Sequence, residues 1–136
     1  MGGRVLVDSS VWVEALRDVP SACGDELDRL LLGGAAVVTT GLVVQEVLQG
    51  IRALRDCARV SSLFASLTRV NPEFGTHLRA ANLYRKLRSR GISVPTIDVL
   101  LAQIAMDLRL RVWTLDGHFR QISSASKLRL HGAPAS

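Results

Sequence analysis

Residues 4–12 read RVLVDSSVW, a short apolar run that ends at an aspartate followed by two serines. The run over 4–7 is rich in β-branched residues and predicts a short buried strand. Ser9 or Ser10 can cap a helix that continues to about Arg17. In open α/β sheets, ligands bind beyond the carboxyl ends of the strands. We therefore expect Asp8 to lie where such a sheet would carry a site.

The remainder of the chain alternates between the same two patterns. Ser21 opens a helix that Gly33-Gly34 closes, and Gly91 closes the longest helix. Further strands are predicted at 35–39, 68–70, 111–115 and 128–130, and further helices at 41–50, 52–67, 73–90, 96–108 and after Asp116. This alternation predicts an α/β fold with a mainly parallel sheet. The expected domain spans residues 1–130, with a flexible tail at 131–136.

The composition excludes several classes of protein. The chain has 136 residues, 48% of them hydrophobic, which suits one domain with a core and argues against disorder. Its longest uncharged run, 30–45, is interrupted by glycine and threonine, whereas a membrane-spanning helix needs about 20 apolar residues. Cys23 and Cys57 lack metal-ligand spacing and fit buried thiols in a reducing cytoplasm, where we expect the protein to reside.

The net charge of +5 comes from 15 arginines and two lysines against 12 acidic residues. The planar guanidinium fork suits phosphate, so the composition favours a polyanionic partner. The alternative is the compositional bias of a GC-rich genome.

Four acidic residues stand apart because of where they lie in the sequence. Each of the other eight has a basic residue within four positions, which is typical of solvated surface acids. Glu46 and Asp98 sit alone in the apolar stretches 42–50 and 94–102. Asp8 and Asp116 each follow a predicted strand. In the alternative interpretation, Asp8 and Asp116 only cap helices. Asp98 could equally be a first-turn acid favoured by the helix dipole, and Glu46 could face solvent.

If these four carboxylates converge, they need a cation, since two unit charges about 4 Å apart repel by roughly 4 kcal/mol at an effective dielectric of 20. Oxygen ligands without a Cys or His cluster select a hard ion such as Mg²⁺ or Mn²⁺. Such a metal beside arginines suits phosphodiester cleavage, because it activates water and stabilises the developing charge.

Four stretches, taken in order, resemble the motifs of PIN-domain nucleases. They are VLVDSSVW at 5–12, VQEV at 44–47, TID at 96–98 with the apolar positions that follow, and TLDGHF at 114–119. Their order and spacing, and the length of the chain, resemble the VapC-type toxins of bacterial toxin–antitoxin modules. The resemblance implies a three-layer PIN-like fold, in which helices flank a mainly parallel central sheet.

The resemblance also implies an activity and partners. It implies an endoribonuclease that uses Mg²⁺ or Mn²⁺ to cleave structured RNA of the tRNA or rRNA class. It further implies a homodimer that a cognate antitoxin protein neutralises. By this analogy Asp8 and Asp98 are the main metal ligands, and Glu46 and Asp116 complete the acidic cluster, helping to hold metal and position water.

Three other residues of these motifs have expected roles. Ser10 and Thr114 are candidates for orienting the ligands. Many relatives carry a further acid where this chain has His118, and its absence argues against a second metal site. His118 itself is expected to be a surface histidine.

Two sets of cations with helical spacing are candidates for RNA contact. They are Arg52, Arg55 and Arg59 in one set, and Arg79, Lys86 and Arg90 in the other. Either set can instead be solvated or face an acidic antitoxin segment.

Other functions fit the sequence less well. A phosphatase of the haloacid dehalogenase type needs a second aspartate where Ser10 stands. A receiver domain needs an aspartate that ends a mid-chain strand, whereas Asp56 lies in an arginine-rich helical stretch. A non-catalytic PIN-like module that binds RNA or a partner is the remaining alternative.

Overall fold

Four short parallel strands form the central sheet of the computed structural model, which describes residues 3–34 and 36–132. They are β1 (Val5–Val7), β2 (Val37–Thr40), β3 (Thr68–Val70) and β4 (Arg111–Trp113), in the order β3-β2-β1-β4. Within β1, Leu6 lies opposite Val38 of β2 and Val112 of β4. The predicted α/β fold with a parallel sheet is therefore confirmed.

Within those ranges, seven helices flank the sheet. They are α1 (Ser9–Ala15), α2 (Ala22–Leu32), α3 (Gly41–Gln49), α4 (Leu54–Ala65), α5 (Phe74–Ser89), α6 (Thr96–Asp107) and α7 (Gly117–Ser124). The main helix–helix contacts fall into two groups, α1 to α4 and α5 to α7. Right-handed crossovers explain this division, because the chain moves from β1 to β3 on one face and returns to β4 on the other. In the part of the chain described, no helix is both long and apolar enough to cross a membrane.

The return of the chain creates a switch point between β1 and β4. These strands are neighbours, but their connections leave in opposite directions, which opens a crevice beyond their carboxyl ends. Asp8 follows β1 and Thr114 follows β4 at this crevice. The backbone N–H of Asp8 donates to the carbonyl of Trp113 at 2.9 Å. Sheet topology therefore brings together residues that are more than a hundred positions apart.

Side-chain caps and glycines set the helix ends. Ser21 Oγ accepts the N–H of Gly24 at 2.9 Å, and Thr40 Oγ1 accepts that of Val43 at 3.3 Å, at the starts of α2 and α3. Gly91 follows α5 with φ 79°, a left-handed conformation that glycine adopts without a Cβ clash. Ser21 and Gly91 are boundary residues that the sequence indicates, whereas the cap at Thr40 was not predicted.

Large side chains anchor the segments beside the crevice. Trp12 on α1 and Trp113 at the end of β4 are fully buried, and the Trp12 ring lies 4.8 Å from that of Phe64. Burying a large apolar side chain stabilises a fold by roughly 1.5–3 kcal/mol. Cys23 is buried as predicted, whereas Cys57 is only half-buried. The crevice therefore rests on well-packed elements.

The last predicted strand differs from expectation, and the first residue of the predicted tail, His131, contacts the domain. The segment 128–130 forms a single bridge, between Leu130 and Val112, rather than a strand. β4 ends at Trp113, because Thr114 Oγ1 accepts the N–H of Asp116 at 2.9 Å and turns the chain. His131 Nε2 lies 3.0 Å from Glu26 Oε2, and residues 133–136 of the predicted tail fall outside the described residues.

Candidate active site

The four singled-out acids converge on one cleft of about 560 Å³. Asp8 follows β1, Glu46 projects from α3, Asp98 lies in the first turn of α6 and Asp116 precedes α7. Glu46 and Asp98 are both partly buried, so Glu46 is not the solvent-facing acid of the alternative interpretation. The structure brings all four predicted residues together.

Asp8 is the most rigidly held of the four. It is only 5% exposed, and its Oδ2 accepts hydrogen bonds from Ser10 Oγ at 2.7 Å and Thr114 Oγ1 at 2.9 Å. Each hydroxyl in turn accepts a backbone N–H, Ser10 from Leu115 at 3.0 Å and Thr114 from Asp116 at 2.9 Å. The side chain of Asp8 makes no capping bond to α1, so the alternative in which it only caps a helix is wrong.

His118 joins the other two aspartates, contrary to the expectation of a surface histidine. Its Nδ1 lies 3.0 Å from Asp98 Oδ2 and 3.1 Å from Asp116 Oδ1, and the side chain is 39% exposed. Asp116 Oδ1 also accepts the backbone N–H of His118 at 2.9 Å and so caps α7. One ligand atom from each of these three residues lies within 4.8 Å of the others. Asp116 is therefore both a helix cap and a member of the cleft.

Burial and mutual repulsion raise the pKa of two of the acids. Burial raises the pKa of Asp98 to about 6, with smaller upward contributions from the charges of Asp116 and Asp8, while the hydrogen bond from His118 opposes the rise. The pKa of Glu46 is raised by burial first and by the charge of Asp8 second. The raised pKa values of Asp98 and Glu46 mean that negative charge at this site destabilises the folded protein. A bound cation would reduce this destabilisation.

The donor set fits a divalent metal. Asp8, Asp98 and Asp116 each have one oxygen engaged in the bonds above, while the second oxygen has no hydrogen-bond partner among residues 3–34 and 36–132. Held carboxylates with one oxygen available are suitable ligands for a hard ion. The imidazole of His118 adds a nitrogen donor, which transition metals accept more readily than Mg²⁺ does.

Four residues that line the cleft are not among the predicted site residues: Ser9, Val13, Glu14 and Arg17. The two charged ones are Glu14 and Arg17. They form the expected surface ion pair, with Arg17 Nη1 3.2 Å from Glu14 Oε2. Glu14 is four positions after Ser10, and Arg17 is three positions after Glu14. On a helix this spacing places all three residues on one face, which could have indicated that Glu14 and Arg17 also lie at the cleft.

The two predicted RNA-contacting sets have different surroundings. Arg52, Arg55 and Arg59 are all exposed, with Arg59 3.9 Å from Asp56. In the other set, Arg79 donates to both carboxylate oxygens of Asp107, at 3.0 and 2.6 Å, so it is not a freely available cation. Arg109 and Arg111 are the basic residues within four positions of Asp107 in the sequence, but its partner in the structure is Arg79, because α5 packs against α6.

Comparison with known proteins agrees with this architecture. The family model for the PIN domain matches residues 5–125. Ribonuclease VapC11 of Mycobacterium tuberculosis is 30% identical over 128 residues, which cover 92% of this chain and 96% of the relative.

Two solved structures share the fold at low sequence identity. DNA-bound VapBC from Salmonella typhimurium has a TM-score of 0.77 at 16% identity and covers 95% of this chain and 97% of its own. Mycobacterium tuberculosis VapC20, described as a sarcin-ricin loop cleaving toxin, has a TM-score of 0.63 at 16% identity and covers 97% of this chain and 98% of its own. The chain therefore belongs to the PIN-domain family, and within that family to the VapC ribonuclease group.

Proposed function

We propose that this chain is an endoribonuclease toxin that requires Mg²⁺ or Mn²⁺. The observation that carries the proposal is the convergence of Asp8, Glu46, Asp98 and Asp116, with one oxygen of each aspartate held and the other available. Charges placed this close repel strongly unless a cation neutralises them.

Each residue then has a distinct part in catalysis. A divalent ion at this site supplies an activated water and stabilises charge on the phosphate. Asp8 and Asp98 are the main ligands, with Ser10 and Thr114 fixing the direction in which Asp8 presents its second oxygen. Asp116 completes the ligand set from the start of α7. Glu46 helps hold the ion and orients the attacking water.

The substrate class and partners extend from the relatives. VapC11 is named a ribonuclease and VapC20 a toxin that cleaves the sarcin-ricin loop, which supports structured RNA of the tRNA or rRNA class as substrate. The Salmonella VapBC complex supports a cognate antitoxin that neutralises the enzyme. The net charge of +5 suits a polyanionic substrate. We further propose that the enzyme is a cytoplasmic homodimer with one metal site.

The test is cleavage of tRNA and rRNA by purified protein, with Mg²⁺ and with EDTA. We expect Mg²⁺-dependent cuts at defined positions and a loss of roughly 100-fold or more in Asp98→Asn, because asparagine keeps the shape but removes the charge. Asp28→Asn, which neutralises an exposed acid on α2, is the matched control and should retain activity.

Folding of both variants is checked by circular dichroism. Cleavage by Asp98→Asn at the wild-type rate, or cleavage in EDTA, would contradict the metal mechanism. RNA binding without any cleavage would favour the non-catalytic binding module.

A further inference from the structure

A second cleft, of about 720 Å³, lies at the far ends of the helices that carry the acidic site. α6 and α7 both begin beside the acidic cleft and end at this second one. Asp107 lies nine positions after Asp98 along α6, which corresponds to roughly 14 Å of helix rise. The two clefts are therefore linked by a pair of helices and differ in position along them.

Five cations line this second cleft, which we call the basic cleft: Lys86, Arg90, Arg109, Lys127 and Arg129. Within the described ranges, none of their side chains forms a hydrogen bond or an ion pair. The acid among its lining residues is Asp107, whose carboxylate already accepts hydrogen bonds from Arg79 and Gln103. The basic cleft thus presents uncompensated positive charge.

Favourable interaction with helix dipoles explains the positive charge of this cleft in part, but it does not explain why a residue with a left-handed backbone, Arg109, carries a long side chain. Cations near the ends of α5, α6 and α7 stabilise the partial negative charge there. Arg109, however, has φ 56°, in the left-handed region where glycine is favoured, as the Leu110 N–H bonds back to the Ala105 carbonyl at 2.8 Å. A glycine would adopt this turn without strain, so the arginine at this position lowers the stability of the fold.

We propose that the basic cleft binds the phosphate backbone of the RNA substrate away from the bond that is cut, an inference that rests on the proposed function. The acidic cleft repels a polyanion, so affinity for RNA has to come from cations elsewhere on the molecule. Guanidinium groups in an open cleft suit phosphate contacts. Because the same two helices connect both clefts, one RNA molecule can span the distance between them.

The experiment compares two variants that lose equal charge. In the cleft variant, Lys86, Arg109 and Lys127 are changed to glutamine. In the control variant, Arg4, Arg85 and Arg88, which line neither cleft, are changed to glutamine. Binding of a fluorescently labelled single-stranded RNA is measured by anisotropy in EDTA across a range of salt concentrations, and folding is checked by thermal melting.

We expect the cleft variant to bind RNA roughly tenfold or more weakly at low salt, with the slope of log K against log salt reduced by about 2, or about 0.7 for each lost contact. The control variant should keep a slope close to that of the wild type. Arg109→Gly alone should also weaken binding while its melting temperature stays at or above the wild-type value, because the backbone strain is removed.

Equal slopes for the cleft and control variants would overturn the proposal, as would a wild-type chain that does not bind RNA. Binding of polyglutamate through these residues, without binding of RNA, would also overturn it and identify an acidic protein segment as the partner. Failure of the proposed function would look different. The wild type would bind RNA through the basic cleft but would not cleave it when Mg²⁺ is added.

Discussion

Asp98 is the residue whose protonation should be visible in the stability of the metal-free protein. Its pKa is raised to about 6 by burial and by neighbouring acids, against about 3.9 in an unfolded chain. The folded state therefore binds this proton more tightly, and the resulting stabilisation is complete below about pH 4 and is lost as the pH rises through about 6. We expect the melting temperature in EDTA to increase between about pH 7.5 and about pH 5.5.

Asp98→Asn isolates this effect, because it removes the charge and keeps the shape. The variant should melt higher than the wild type above about pH 6 and should lack this part of the pH dependence. Calorimetric scans of both proteins across the range make the comparison. If the melting temperatures of the two proteins change with pH in parallel, the ionised Asp98 carboxylate does not destabilise the folded state.

His118 should bias the choice of metal. When Nδ1 gives up its proton and its contacts with Asp98 and Asp116 to a bound metal, it becomes a nitrogen ligand that Mn²⁺ accepts better than Mg²⁺. We expect His118→Asp to lower the preference for Mn²⁺ over Mg²⁺ by about tenfold, as for other changes around metal ligands. Calorimetric titration with each ion measures this ratio. His77→Asn, at an exposed histidine on α5, is the control, and an equal change in that variant would contradict a ligand role for His118.

At the scale of elements, Asp107 ties α5 to α6. It accepts both bonds from Arg79 and one from Gln103 at 2.9 Å, and the Arg79 guanidinium holds its pKa below the usual range. Asp107→Asn should lower the free energy of unfolding by about 1 kcal/mol, since Arg79 is half exposed and solvent weakens the pair. Urea unfolding should show a lower midpoint with an unchanged slope, and an unchanged midpoint would contradict the contribution.

Most elements could be predicted because each carries its own boundary residues. Ser21, Gly33 and Gly91 mark helix ends by local chemistry, and the apolar run 5–7 forms a buried strand as expected. The segment 128–130 has one leucine on either side of Arg129, and only one of its residues, Leu130, forms a bridge to a strand. Whether this segment forms a strand depends on the length of β4, the strand beside it. The sequence of the segment itself does not encode that length.

At the scale of the whole molecule, Asp8 and Asp116 could be foreseen as neighbours because parallel strands end at the same edge of a sheet. Glu46 and Asp98 could be foreseen as candidates because each is the only charge in an apolar stretch. The contacts of His118 could not, since they depend on α7 beginning beside the first turn of α6. The pairing of Asp107 with Arg79, 28 positions away, and the assembly of the basic cleft depend on helix packing in the same way. Sequence spacing therefore identifies candidate site residues more reliably than it identifies the residues that they contact.

The central position of β1 between β2 and β4 has a consequence for the order of synthesis. A ribosome that has translated as far as residue 110 has already made Asp8, Glu46 and Asp98, but neither β4 nor Thr114. The hydrogen bond from Thr114 that fixes Asp8 spans 106 positions, so it forms only after most of the domain has been translated. Domains fold as units and contacts this distant form late, so a nascent chain lacks the completed acidic cluster. Under the proposed function, a truncated translation product that stops before β4 would therefore leave the RNA around it intact.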